Sequence, residues 1–390
     1  MNFWMAAPRS SKQNLLEGYD GEQKKQTETT LSSITSVLFQ GSIIFIGCFL
    51  LFVGAHYAAN QLYDKASRSD QRELPQDGLE VNDAADQFKS LINQLNITYN
   101  SQNELIDRFK IFSKNLKHIR QAQSDSENVI FGVNRFTLMS DDELRAYIMP
   151  SIDVSATLST ILAETERVDA ETNPLPTRPG SLDWRSRGVV TRVKNQGNCG
   201  SCWAFGVTAS IESLFAIRGR GLQERSEQEL VDCDRDNGGC NGGTLQHAFG
   251  YIKDHGQTLE RLYTYKARQE GCRQVTAEKV RISGYKSFPR DENYLADWVA
   301  ANGPVTIAIC VTREFYSYKR GVFNPSNDNC QHHCLGGHAL AIVGYGNEGG
   351  SDYWLLKNSW DTSFGDHGYI KMKRGVNSCG IGEWAVAPIP

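Results

Sequence analysis

The chain has 390 residues, which is more than one average domain needs, so we expect two or three structural units. Its formal net charge is −4, and its Lys and Arg residues are mixed with acidic ones, which excludes the basic surface typical of nucleic-acid-binding proteins. We therefore expect a protein, peptide or small-molecule substrate and no nucleic acid partner.

An apolar segment near the start is the first predicted element. Residues 37–55 carry no charge and are about as long as a helix that crosses a bilayer core. The alternative interpretation is a cleaved signal peptide. The polar stretch before residue 37 argues against it, because it is longer than the charged first region of such a peptide. We predict a cytoplasmic tail over residues 1–33, a transmembrane signal-anchor over 34–59, and a lumenal or extracellular remainder.

The cysteines are concentrated in the C-terminal half of the chain. Of the ten, Cys48 lies in the apolar segment and the other nine follow residue 198. Such clustering is typical of disulfide bonds in an oxidising compartment. Asn96, in Asn-Ile-Thr, is a candidate N-glycosylation site on the same side of the membrane. These features predict a single-pass type II membrane protein of the endomembrane or lysosomal system or of the cell surface.

A polar region without cysteines follows the apolar segment. It contains apolar residues at steps of four and three, as on one face of an amphipathic helix: Leu105, Phe109, Phe112, Leu116 and Ile119. Residues 150–180 are poor in aromatic residues and end in three prolines, which is typical of an extended linker. Linkers of this kind are cut easily by proteases.

Two cysteines three positions apart, Cys199 and Cys202, raise several chemical possibilities. Their spacing fits a redox couple, half of a zinc site, a disulfide bond, or a disulfide bond beside a nucleophile. An odd number of cysteines after residue 198 leaves one thiol free. The apolar pattern after Cys202 predicts a helix that begins there, and a helix N-terminus stabilises the nucleophilic thiolate.

A nucleophilic cysteine needs a base, and histidine is the usual one. His338 stands at the start of an apolar run that resembles a strand, where its side chain can face a cleft. Asn358 ends the next such run and can bond to the far nitrogen of the imidazole. Together with Cys202, these residues suggest nucleophilic catalysis.

Five segments, in order, resemble the papain-like cysteine peptidases of the cathepsin group: QGNCGSCWAF, SEQELVDCD, GCNGG, GGHALAIVGYG and YWLLKNSW. The family signature C-G-[SA]-C-[WY] is followed by His and Asn about 130–150 residues downstream. His338 lies within that distance of Cys202, and Asn358 lies slightly beyond it. The resemblance covers about residues 178–390 and implies a two-domain α+β fold, with a helical left domain and a β-barrel-like right domain. It implies a cysteine endopeptidase without cofactor or metal.

The region before residue 178 resembles a cathepsin L-like propeptide. Five residues fall on the E-x3-R-x3-F-x2-N-x3-I pattern of these propeptides: Glu104, Arg108, Phe112, Asn115 and Ile119. The segment GVNRF resembles the second propeptide motif, but Leu138 stands where an Asp is usual. Residues 60–177, here called the propeptide segment, are therefore expected to inhibit the peptidase until acid or a protease releases it near residues 174–181.

The same resemblance implies roles for the site residues. Cys202 is the nucleophile, and His338 forms the imidazolium of a thiolate–imidazolium pair. Gln196 supplies an oxyanion-hole donor together with the main-chain N–H of Cys202. Asn358 orients His338, and Trp360 shields that hydrogen bond from water.

The expected substrate cleft includes Gly242 and Gly243, which pair with an extended substrate. The S2 pocket is expected to be apolar and shallow and to favour medium aliphatic residues at P2, because Trp384 forms its floor. Its walls are expected to be Thr244, Leu245, Ala308, Gly337 and Ala339. Cystatin-type inhibitors are further possible partners.

The disulfide pairs follow only in part from the resemblance. It implies Cys199–Cys240 and Cys233–Cys272, and it pairs Cys379 with either Cys330 or Cys334 and Cys310 with the other.

The loop before His338 also contains His332 and His333. We favour an exposed disulfide-bonded loop over a zinc site or an added carboxypeptidase activity. A thiol oxidoreductase and a non-catalytic binding homologue are the remaining alternative functions.

Overall fold

The computed structural model describes residues 78–149, 166–168 and 174–390. Within these ranges no helix is long and apolar enough to cross a bilayer. This finding overturns the predicted localisation as a single-pass type II membrane protein, and we withdraw that prediction. The predicted tail and signal-anchor, residues 1–33 and 34–59, lie outside the described residues.

The propeptide segment forms a small helical unit. Its helices are α1 (Gly78–Gln94), α2 (Gln102–Ser124) and the short α3 (Asp141–Arg145). The side chain of Ser101 caps α2 by accepting from the N–H of Glu104. Most of the apolar face predicted for α2 packs with α1 in a core that includes Phe88, Phe112 and Leu116, whereas Ile119 belongs to the larger core that includes the sheet.

The helical part of the C-terminal domain is built around one buried helix, α4 (Cys202–Phe215), every residue of which is buried. Around it lie α5 (Glu227–Cys233) and α6 (Leu245–His255). Gly206 lets α4 approach the sheet, because a Cβ atom at this position would lie 2.9 Å from Cγ2 of Thr306. This close packing holds the first turn of α4 at the junction between the helices and the sheet.

The second part is a sheet of nine strands among the described residues, in the order β1-β5-β8-β7-β6-β4-β9-β3, with β2 beside β6. The strands are β1 (Val129–Phe131), β2 (Leu182–Asp183), β3 (Gly284–Ser287), β4 (Val305–Val311), β5 (Tyr318–Phe323), β6 (Gly336–Glu348), β7 (Ser351–Lys357), β8 (Tyr369–Lys373) and β9 (Ala385–Ile389). Helices α7 (Glu292–Asn302) and α8 (Asn327–His332) connect them. The α+β fold predicted from the sequence is confirmed, and β1 of the propeptide segment extends the sheet by pairing antiparallel with β5.

Four disulfide bonds link distant segments of the C-terminal domain, and this confirms the expected disulfide bonding. They are Cys199–Cys240, Cys233–Cys272, Cys310–Cys334 and Cys330–Cys379. The first two are the pairs that the resemblance implies, and the other two select one of the pairings that the sequence left open. In the part of the chain that the structure describes, Cys202 is the only cysteine with a free thiol.

Candidate active site

Cys202 is the first residue of α4, as the apolar pattern predicts. Its side chain is fully buried at the junction of α4 and the sheet. Pairing of Cys199 with Cys240 fixes the loop immediately before the helix. The thiol therefore has a rigid position, which a nucleophile needs if it is to meet a carbonyl carbon at a set distance.

His338 lies in β6, Asn358 directly follows the neighbouring strand β7, and the two side chains form a hydrogen bond. Nε2 of His338 lies 2.7 Å from Oδ1 of Asn358. The same Oδ1 accepts from the N–H of Ser359, which fixes it as an acceptor, so Nε2 of His338 carries the proton. Nδ1 of His338 is then a lone-pair nitrogen, and it has no hydrogen-bond partner among the described residues. An imidazole in this tautomer can accept a proton from a thiol.

The ring of Trp360 packs against that of His338. Its ring centroid lies 4.5 Å from that of His338, and Trp360 is fully buried. Excluding water strengthens an electrostatic interaction and holds the imidazole in one orientation. The sequence predicts that Trp360 shields the bond between His338 and Asn358 from water, and this role stays a prediction.

Gln196 is oriented by Ser359, a residue that the sequence analysis did not single out. The hydroxyl of Ser359 donates to Oε1 of Gln196 over 2.6 Å, and the main-chain N–H of Gln196 donates to the carbonyl of Ser359. Nε2 of Gln196 therefore points the other way, where it donates to the carbonyls of Tyr147 and Cys199 over 3.0 and 2.8 Å. Ser359 lies within the YWLLKNSW segment, so its position next to Asn358 was a signal that could have been used.

The propeptide segment covers this site. Met149 and Gly337 exchange two main-chain hydrogen bonds of 2.8 and 3.2 Å. The carbonyl of Tyr147 accepts a hydrogen bond from Nε2 of Gln196. Burial raises the pKa of the Cys202 thiol to about 12, against nearby main-chain N–H groups that oppose the shift. It lowers the pKa of His338 to about 4, against the hydrogen bond to Asn358. Both groups are therefore neutral while the site is covered.

The residues expected to line S2 surround a side chain of the propeptide segment. Met149 is 2% exposed and belongs to a buried apolar cluster with Leu245, Ala308, Ala339 and Trp384. A Cβ atom at Gly337 would lie 3.1 Å from the terminal methyl of Met149. Thr244 is also buried and caps α6, whose first residue is Leu245. Met149 therefore shares one buried apolar cluster with four of the predicted residues, and their role as the S2 pocket stays a prediction.

Gly242 and Gly243 lie near this pocket but make different contacts from those expected for a bound substrate. The carbonyl of Gly242 accepts from the N–H of Gly238. A Cβ atom at Gly243 would meet the side chains of Asn237 and Trp203 at 2.6 and 2.8 Å. Among the described residues, neither glycine bonds to the propeptide segment through its main chain.

The comparisons with known proteins agree with this geometry. Residues 178–389 match the family model described as papain family cysteine protease, and residues 88–144 match the cathepsin propeptide inhibitor domain (I29). The chain belongs to the papain family of cysteine proteases.

Its relatives include proteases of plants and animals. A cathepsin L-like proteinase of Phaedon cochleariae is 35% identical over 304 residues, which cover 75% of this chain and 90% of that protein. Papain of Carica papaya is 37% identical over 302 residues, which cover 75% and 83%. The solved structure of digestive procathepsin L2 from Tenebrio molitor larval midgut has a TM-score of 0.72 at 36% identity, and the match covers 79% of this chain and all of that one. The protein is a cysteine endopeptidase zymogen, and its propeptide is an intramolecular inhibitor.

The papain-family propeptide docks on an aromatic surface of the peptidase domain. Tyr316 and Trp360 stack with their centroids 4.9 Å apart, and Phe136 of the propeptide lies 5.4 and 5.0 Å from them. Asn134 donates to the carbonyl of Tyr316, and Arg135 donates to that of Trp360. The GVNRF segment was recognisable from the sequence, but Tyr316 was not, because it lies in a short 3₁₀ helix (Arg313–Ser317) outside the five family segments.

Residues of the helical propeptide motif either fold the propeptide or dock it. Arg108 makes a bidentate ion pair with Glu143, at 2.5 and 2.6 Å, which joins α2 to α3. The amide of Asn115 donates to two main-chain carbonyls after β1, and its Oδ1 accepts from Arg313 of the peptidase domain over 2.9 Å. Arg313 also pairs with Asp141 of α3. Arg313 thus connects the peptidase domain to two elements of the propeptide.

The loop before His338 has the disulfide bonds that the sequence led us to favour. Within it, His332 is largely exposed and its Nε2 lies 3.5 Å from Oδ1 of Asp328. In the described ranges, no three His, Cys, Asp or Glu side chains are grouped so that they could hold a metal ion. The zinc alternative therefore has no support from these side chains.

Proposed function

We propose that Cys202 and His338 are the catalytic pair of this endopeptidase. The observation that supports this assignment is the unpartnered Nδ1 of His338, whose other nitrogen is held by Asn358. When the propeptide leaves, the thiol proton moves to Nδ1, and the thiolate attacks the peptide carbonyl carbon. The protonated imidazole then gives its proton to the departing amine, and a thioester forms. Water, deprotonated by His338, hydrolyses the thioester and restores the thiol.

Gln196 stabilises the negative oxygen that forms during attack. Its Nε2 already donates to a peptide carbonyl, that of Tyr147, over 3.0 Å. The main-chain N–H of Cys202 supplies the second donor, since the first N–H groups of a helix have no partner within the helix. In this assignment Ser359 is a positioning residue for Gln196, and Trp360 protects the bond between His338 and Asn358.

The P2 preference follows from the occupant of the S2 pocket. Met149 fills a pocket with Trp384 at its floor, and the indole of Trp384 donates to Gln246 over 3.0 Å, which holds the ring in place. An apolar side chain of four heavy atoms fits this volume, so we expect Leu or Met at P2 and poor acceptance of the larger Phe. Gly242 and Gly243 are proposed to pair with the substrate main chain once Met149 has left.

The division of the chain follows the same scheme. Residues 60–177 are proposed to be the propeptide and linker, 178–390 the peptidase domain, and the cleavage that separates them falls near residues 174–181. Asn96 lies in an exposed turn after α1, where a glycan can be attached. Cystatin-type inhibitors are proposed to compete for the cleft that the propeptide leaves.

The catalytic assignment is tested by labelling. After acid activation, an epoxide that alkylates thiols is expected to modify Cys202 and to abolish hydrolysis of a fluorogenic peptide with Leu at P2. Neither modification nor hydrolysis in the activated protein would show a non-catalytic homologue instead. A thiol oxidoreductase needs both Cys199 and Cys202 as thiols, and the bond between Cys199 and Cys240 excludes it. His332 is too exposed to indicate a built carboxylate site, so added carboxypeptidase activity is not favoured.

A further inference from the structure

A short piece of the linker contacts the peptidase domain away from the catalytic cleft. Residues 166–168 run parallel to the end of β3, with Arg167 paired to Ser287. Strand β3 is the last strand of the sheet, because β9 occupies its other side. The linker therefore lies at an open edge, where main-chain groups are available to another extended segment.

The main chain of Ser287 is fully used by this contact. Its N–H donates to the carbonyl of Glu166 over 3.1 Å, and its carbonyl accepts from the N–H of Val168 over 3.0 Å. Ser287 is completely buried while residues 166–168 are in place. Removing the linker would expose both groups at the sheet edge, where they could bond to water or to another extended segment.

The side chains add selectivity to these main-chain bonds. Val168 is 3% exposed and belongs to the same buried apolar cluster as Phe288. Glu166 forms an ion pair with Lys286 over 2.9 Å. Arg167, between them, faces solvent. The contact therefore selects an acidic residue two positions before an aliphatic one and leaves the middle position unrestricted.

We propose that the outer edge of β3, together with the buried position of Val168, is a peptide-binding exosite of the peptidase domain. Its occupant in the zymogen is the chain's own residues 166–168. It binds an extended peptide by adding a strand to the sheet, a known mode of peptide recognition. It is separate from the catalytic residues, so the inactive variant Cys202→Ala can test it whatever the outcome for the proposed catalysis.

The first test uses the full chain with Cys202→Ala and trypsin, which cuts after Arg167. In the occupied exosite this bond is protected, because Val168 is buried. Val168→Asp is expected to speed cleavage at this bond at least about tenfold, since a charge cannot remain in an apolar environment. Val376→Asp, at a valine that is 46% exposed, is the matched control and leaves the rate unchanged. If Val168→Asp prevents folding, as judged by thermal melting, Val168→Ala replaces it with an expected rise of about threefold.

The second test uses a fluorescein-labelled peptide of residues 164–172. By fluorescence polarisation it is expected to bind the full chain with Cys202→Ala and Val168→Asp, whose exosite is vacant, and not the chain with Cys202→Ala alone. Adding Lys286→Glu weakens binding about threefold, and a peptide with Glu166→Lys recovers it. An unchanged trypsin rate at the bond after Arg167, or equal binding of the peptide to the vacant and occupied chains, overturns the proposal.

Discussion

Phe136 is the residue whose loss most directly tests how the propeptide is held. Its side chain is 3% exposed and lies between Tyr147, Tyr316 and Trp360, with ring centroids 5.1, 5.4 and 5.0 Å away. Phe136→Ala removes the ring and leaves a cavity at the interface. Truncation of a buried Phe costs about 3 kcal/mol at the lower end of the measured range. Since about 1.4 kcal/mol is a factor of ten, the fraction of molecules with an open cleft should rise about 100-fold.

Alkylation of Cys202 measures this fraction, because the thiol is fully buried while the propeptide is docked. The full-length chain is mixed with an epoxide reagent at neutral pH, and mass spectrometry follows labelling of the uncleaved protein. Phe136→Ala is expected to raise the labelling rate about 100-fold. Ile130→Ala, at a propeptide residue that is 41% exposed, is the control and should leave the rate unchanged. Equal rates for Phe136→Ala and the unmodified chain would refute the docking role of the aromatic surface.

Three further predictions concern the mature enzyme and its release. Gln196→Ala is expected to lower kcat by about 10²–10³ with little change in KM, since the lost donor acts on the transition state; steady-state kinetics after activation measures both. Trp384→Ala enlarges S2 and is expected to raise kcat/KM for substrates with Phe at P2 relative to those with Leu. An unchanged ratio of these two kcat/KM values would contradict the position of Trp384 at the floor of S2. Asp141→Asn, which breaks the pair with Arg313, is expected to shift acid activation to a higher pH by less than about one unit. The neighbouring Asp142→Asn is the control, and the midpoint of processing is read from gels.

The sequence predicts those parts of the site that lie within short segments. Cys202 was recognisable because an apolar helical pattern begins at it, and His338 and Asn358 because each stands at one end of an apolar run. Their mutual geometry depends on the register of β6 and β7, but two adjacent strands allow few alternatives. Family resemblance then supplied Gln196 and the S2 residues, which have no local chemical signal of their own.

The remaining features depend on contacts between distant segments. Met149 packs with Trp384, and Arg313 contacts α2 and α3, only because the propeptide crosses the peptidase domain along one particular path. The pairing of Cys310 with Cys334 follows from the antiparallel register of β4 and β6, which places Cys310 opposite Gly337. No local pattern in the sequence encodes that register. The wrong prediction of a membrane location has another cause. An uncharged run of residues shows that a segment is hydrophobic, and this alone does not establish where the segment lies.

Acid release of the propeptide cannot depend on the catalytic pair. While the site is covered, burial keeps Cys202 as a thiol and His338 as a neutral imidazole. In the proposed mechanism the thiol proton moves to His338 once the site is uncovered. In papain, a relative, the histidine-paired cysteine has a pKa near 3–4. The pair therefore holds one proton in both forms down to about pH 4. Because release takes up no proton at this pair, lowering the pH does not favour release of the propeptide through Cys202 and His338.

The groups whose protonation weakens docking of the propeptide lie where the propeptide contacts the peptidase domain. Burial lowers the pKa of His118, and the neighbouring cations Arg313 and Lys114 lower it further, against Asp141 and Glu314. A base with a depressed pKa makes docking weaker as the pH falls below its ordinary value of 6.5. Asp141 acts at lower pH: burial would raise its pKa, but Arg313 and Lys114 outweigh burial and lower it below 3.8, so its contribution is lost only in stronger acid. Of these two groups, His118 is the one whose ordinary pKa lies in mild acid, and because it is exposed its effect on docking is small.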